Sequence, residues 1–145
     1  MKIIINESDE FQEVEIIINC SGVDDKISRI ISEIKALDRK IKGIKDGQVF
    51  ILDIDKIFYF ESVDKKTFIY MDKEVYETTL RLYELEEKLQ NTDFFRGSKS
   101  TIVNLAKVKN ITPMFGGRIE IVLENNEKLV ISRQYVPTLK SKLNF

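Results

Sequence analysis

Apolar and polar positions change rhythm along this chain, and the changes divide it. Ile3-Ile4-Ile5 and Val14-Glu15-Ile16-Ile17-Ile18 are short apolar runs that predict strands at 2–5 and 13–18. Ile27, Ile30, Ile31, Ile34 and Leu37 then recur at helical spacing and form one apolar stripe. Asp24 and Asp25 suit the start of that helix, and Lys35, Arg39 and Lys40 suit its end. Gly43 and Asp46-Gly47 are turn signals, read as a junction. Beyond it the pattern is predominantly β. Strands are expected at 48–52, 57–61, 68–71 and 74–78, with 62–67 a polar loop and Asp72-Lys73 a turn. Leu82, Leu85 and Leu89 mark one short helix that Thr78 or Thr79 would cap. Further strands follow at 101–103, 107–112, 118–124 and 128–132, with Asn125-Asn126 a tight turn and a helical turn after Tyr135. The expected organisation is a small N-terminal α+β unit over 1–42 and a mainly β domain over 43–145. No internal repeat is visible.

Charge sharpens this division. Residues 96–145 carry nine basic and three acidic side chains, a net of +6, while the rest of the chain is acidic. A basic last third is what an anion-binding face needs. Candidate chemistry is sparse. The chain has no histidine, which removes the commonest general base and metal ligand, and its single cysteine, Cys20, excludes a thiolate zinc site within one chain. No phosphate-cradling glycine loop is present, and Gly116-Gly117 reads as a turn. Asp53/Asp55 and Glu86/Glu87 fit solvated faces, and Cys20 fits a small packing residue. An enzyme, a cofactor and a small-molecule substrate are therefore not expected. There is no cleavage-site pattern and no apolar run near the roughly 20 residues of a membrane span. The cytoplasm is the expected compartment.

Four segments, in order, resemble the LytTR family of DNA-binding domains: Ile54-Asp55-Lys56-Ile57-Phe58-Tyr59-Phe60-Glu61-Ser62; Thr79 to Leu89; Phe94-Phe95-Arg96-Gly97-Ser98-Lys99-Ser100-Thr101-Ile102-Val103-Asn104-Leu105; and Val130-Ile131-Ser132-Arg133-Gln134-Tyr135-Val136. The resemblance implies a mainly β fold of small antiparallel sheets with one short helix. It implies double-stranded DNA read by loops at imperfect direct repeats, with two copies bound as a homodimer and the duplex bent. Forty-two preceding residues are too few for a receiver domain, so the chain resembles a stand-alone branch whose members are often encoded near a small membrane protein. Many members hold a histidine where Ser98 and Lys99 stand here. Gly97 replaces a larger residue, which implies a looser loop.

The same resemblance points to three DNA-facing segments. Lys65, Lys66 and Thr67 suit phosphates and a base edge. Ser98, Lys99 and Ser100 suit phosphate oxygens, with Lys99 also in reach of guanine; Arg96 is left between contact and internal packing. Asn104 fits tying off loop backbone. Arg133 offers a planar fork for guanine N7 and O6, beside Gln134. Lys140, Arg118 and Lys107 add positive field. The aromatics Phe58, Tyr59, Phe60, Phe94 and Phe95 fit a core. The alternative function is a protein–protein module that docks a membrane or regulatory partner.

Overall fold

The computed structural model describes residues 1–37 and 39–144. The chain divides into two compact units, Met1–Lys35 and a second from Ala36 onward. Helix α1 (Asp25–Leu37) forms where the apolar stripe predicts it, and the Asp24 carboxylate accepts the Ile27 N–H at 2.9 Å as its cap. Residues 1–24 contain no strand. The strands expected at 2–5 and 13–18 do not form, and Ile3, Ile4, Ile5, Ile16, Ile17 and Ile18 are exposed. Two short apolar segments with no third strand lack the burial that holds a sheet together. Cys20 is likewise exposed instead of packed.

The second unit contains strands β1 (Lys40–Lys45), β2 (Gln48–Asp53), β3 (Tyr59–Val63), β4 (Lys66–Tyr70) and β5 (Val75–Thr78). Helix α2 (Leu82–Lys88) follows, then β6 (Phe94–Arg96), β7 (Thr101–Asn104), β8 (Val108–Pro113), β9 (Ile119–Leu123), β10 (Lys128–Ile131) and helix α3 (Val136–Lys142). Two antiparallel sheets result, one of seven strands in the order β2-β1-β5-β4-β3-β7-β6 and one of three in the order β10-β9-β8. Gly43 is no junction. It lies within β1, paired with Phe50, and a Cβ there would sit 2.5 Å from Leu52 Cδ1. Asp46 and Gly47, both at positive φ, make the two-residue turn of the β1–β2 hairpin.

Strands β3, β7 and β6 are buried on both faces. Phe60, Ile102 and Phe94 enter one core with Ile57, Ile69, Leu82 and Leu85. Tyr59, Val103 and Phe95 enter a second with Ile121, Leu123, Ile131 and Leu139. Tyr59 stacks on Tyr70 with ring centroids 4.3 Å apart. Burial, then the nearby acidic groups Glu127 and Glu61 respectively, push both phenols above their usual range and keep them neutral.

A corner motif recurs that the sequence did not reveal. After β2, β7 and β10 the chain turns through one short 3-10 segment, at Ile54–Lys56, Leu105–Lys107 and Arg133–Tyr135. Asp53 caps the first by accepting the Asp55 N–H at 3.1 Å, and Asn104 caps the second by accepting the Ala106 N–H at 3.0 Å. Asn104 also donates to the Ile57 carbonyl at 2.8 Å from a buried position, the backbone role read for it from sequence. Ser132 opens the third corner, its carbonyl accepting the Tyr135 N–H at 2.8 Å.

The place of β1 sets where the second unit can be cut. A chain starting at Arg39 should melt cooperatively. One starting at Ile44 keeps only the Ile44–Val49 and Lys45–Gln48 pairs of the hairpin. It should melt about 5 °C or more lower, as a loss of 1 kcal/mol or more in a small domain does. Equal melting temperatures by circular dichroism would show that β1 contributes nothing.

Candidate nucleic-acid interface

The three sequence-expected segments come together through backbone hydrogen bonds. The Ser62 N–H at the end of β3 donates to the Ser100 carbonyl at 2.8 Å, which joins the first loop to the second. The Ser132 N–H donates to the Gly97 carbonyl at 2.9 Å, which joins the second to the third. The resulting surface is thus built from backbone before any side chain takes part.

In the first segment the polar loop shrinks to two residues. Asp64 and Lys65, at φ 50 and 67, form a tight turn directly between β3 and β4. Aspartate tolerates this region; lysine rarely occupies it. Lys65 and Lys66 are exposed. Thr67 must be corrected as a contact residue. It lies inside β4, paired with Ser62 and Thr78, and is only 5% exposed.

The second segment, between β6 and β7, is held by Arg96. Its Nε donates to the Ser98 carbonyl at 2.8 Å, Nη2 to the Lys99 carbonyl at 2.6 Å and Nη1 to Glu86 of α2 at 2.9 Å. These three bonds use the guanidinium inward, which settles Arg96 as the loop's frame. Ser98 shares a hydrogen bond with Thr101 at 2.8 Å, and its hydroxyl accepts the Ser100 N–H at 3.2 Å. Gly97 does not loosen this loop. It is buried, and a Cβ on it would lie 2.9 Å from Ile131 Cδ1, so the absence of a side chain lets the loop close against β10. Lys99 and Ser100 are left exposed on the outside, and Ser98 is half-buried.

In the third segment Arg133 and Gln134 are exposed on the 3-10 corner. The Arg133 stem packs on Gly117 of the β8–β9 turn, where a Cβ would meet Arg133 Cδ at 2.9 Å. Gly117 has φ +78, so this position demands glycine twice over. Lys65, Lys66, Lys99 and Arg133 have no carboxylate within 4.0 Å among the described residues. Lys107 is drawn inward, with its Nζ 5.4 Å from the Phe58 ring, while Lys140 and Arg118 are exposed. Among the described residues there is no cluster suited to a metal ion, and no helix is long and apolar enough to cross a membrane.

Residues 47–144 match the family model described as the LytTr DNA-binding domain. The chain is 34% identical over 110 residues to the sensory transduction protein LytT of Enterococcus faecalis; the match covers 70% of this chain and 46% of that protein. The chain thus spans less than half of that relative. It is 27% identical over 146 residues to an uncharacterized HTH-type transcriptional regulator of Staphylococcus aureus, covering 99% of this chain and 97% of the relative. A solved LytTr DNA-binding domain of a putative methyl-accepting/DNA response regulator from Bacillus cereus superposes with a TM-score of 0.70 at 24% identity, over 74% of this chain and 98% of that one. This last match bears on the fold.

Arg96 is the residue whose role sequence left undecided and geometry resolves. Arg96→Ala should cost about 1–3 kcal/mol, since it strips two loop carbonyls and one carboxylate of their donor. Amide exchange should speed up at 97–101 while β9 stays protected. An unchanged denaturation midpoint with unchanged exchange in that loop would remove Arg96 from the frame.

Proposed function

The chain belongs to the LytTr DNA-binding domain family, and from that premise we propose that it is a sequence-specific regulator of transcription that reads imperfect direct repeats in double-stranded DNA. Two copies bind, one per repeat, and the protein acts in the cytoplasm. The observation that carries this reading is the joining of three loops into one surface whose outward cations, Lys65, Lys66, Lys99 and Arg133, are unpaired among the described residues. Affinity comes from phosphates neutralised by the lysines, with Ser98, Ser100 and Gln134 adding hydrogen bonds. Specificity comes chiefly from Arg133, whose fork fits guanine O6 and N7 in the major groove. The exposed isoleucines of residues 1–24 support a second role alongside this one, the docking of a regulatory partner.

Fluorescence anisotropy on the duplex upstream of the coding region, against a scrambled duplex, tests the reading. Four cations on phosphates or bases should give a slope of log K against log salt of about −4 per copy. Equal, weak binding to both duplexes would leave a charged surface and no regulator. Arg133→Ala should lower discrimination at one base pair by about 1–3 kcal/mol with an unchanged circular dichroism spectrum. Retained site preference in that variant would take base reading away from Arg133.

Lys65 separates stability from binding. Lys65→Gly relieves a left-handed lysine and should stabilise the fold by about 0.5–1 kcal/mol. The same change should weaken DNA binding and make the salt slope shallower by about 1. Loss of stability, or unchanged affinity, would show that the turn lysine is not kept for DNA.

A further inference from the structure

The turn between β8 and β9 presents an apolar side chain that the fold does not use. Phe115 is 97% exposed, at the tip of Met114–Arg118. The turn is closed at its base, where the Met114 N–H donates to the Arg118 carbonyl at 2.9 Å. Gly116 and Gly117 follow the ring at φ +85 and +78. Gly117 rests against the stem of Arg133, so Phe115 stands two residues from that contact, within about 7 Å along the chain. Arg118 on the same turn is exposed and shares a concavity with Lys140 of α3. An aromatic ring therefore projects from a surface of cations, beside the arginine assigned to base reading. Held in water, it stabilises nothing in the free protein.

We infer that Phe115 is a specificity-determining residue: its ring packs on the C5-methyl group of a thymine in the major groove, within about three base pairs of the guanine that Arg133 reads. The inference rests on the DNA-binding reading above. Both side chains enter the same groove because one rests on the turn that bears the other. Arg118 and Lys140 hold phosphates alongside. The methyl group is the one apolar feature that the major groove offers, and it distinguishes thymine from cytosine at no hydrogen-bonding cost.

The test uses the full chain and the duplex that it enriches from a random-sequence pool. Each thymine of that duplex is replaced singly by deoxyuridine, which keeps every hydrogen bond and removes only the methyl. For the unmodified chain, one such replacement near an Arg133-dependent guanine should weaken binding about 3- to 5-fold, the burial of one methyl group. Phe115→Ala should bind the thymine and uracil duplexes equally, and Phe115→Leu should restore part of the difference. Phe115 is exposed and holds no part of the core, so the variants keep the fold, which circular dichroism checks. Methyl sensitivity at no thymine, or sensitivity that persists in Phe115→Ala, overturns the inference while DNA binding stands. A changed sedimentation coefficient in Phe115→Ala with no methyl effect assigns the ring to a contact between copies and also overturns it. Failure to enrich any duplex overturns the DNA-binding reading itself, and this inference with it.

Discussion

Successive side chains of a strand leave the backbone in opposite directions, and in β3, β7 and β6 both directions end in a core. Tyr59, Val103 and Phe95 form one row across the three strands, and Phe60, Ile102 and Phe94 serve the other side. A slip of one residue would exchange the contents of the two cores, so the register is fixed from both faces at once. The loops that leave these strands inherit that precision. Ser62, Gly97 and Ser100 stand where they do because Phe60, Phe95 and Ile102, each two positions away, have no freedom to shift.

Hairpins were the most legible part of the fold. Asp46-Gly47 and Asn125-Asn126 mark turns by backbone chemistry that needs no tertiary context, and α2 is marked by three leucines on one face. β1 was hidden because Lys40-Ile41-Lys42-Gly43-Ile44-Lys45 has a glycine where a strand normally carries a side chain, and only the nearness of Leu52 and Tyr76 explains it. The N-terminal runs were misleading for the opposite reason: apolar content signals a strand locally, but a strand exists only with a partner. The repeated corner escaped notice because Asp53 and Asn104 share a capping task and not an identity, while Ser132 opens its corner through backbone alone.

The candidate site was legible through the family resemblance far more than through residue chemistry. Lys99, Ser100, Arg133 and Gln134 are exposed, as contact residues must be. Thr67 was misplaced because the β3–β4 turn is two residues long, a length that composition does not state. The inward use of Arg96 and the packing of Arg133 on Gly117 depend on segments far apart in sequence, and no local pattern encodes them. What geometry adds is rigidity. Loops bonded to one another before DNA arrives need little further ordering on binding, so the entropy normally lost at that step is already absorbed in folding.

Arg96 grips the second loop by the carbonyls of Ser98 and Lys99, groups that every residue type possesses. The frame is therefore indifferent to which side chain position 99 displays. In evolutionary terms, scaffold and lettering are uncoupled there. A lineage could exchange the lysine for another residue, and with it the charge that the loop displays, in a single step that folding would not penalise.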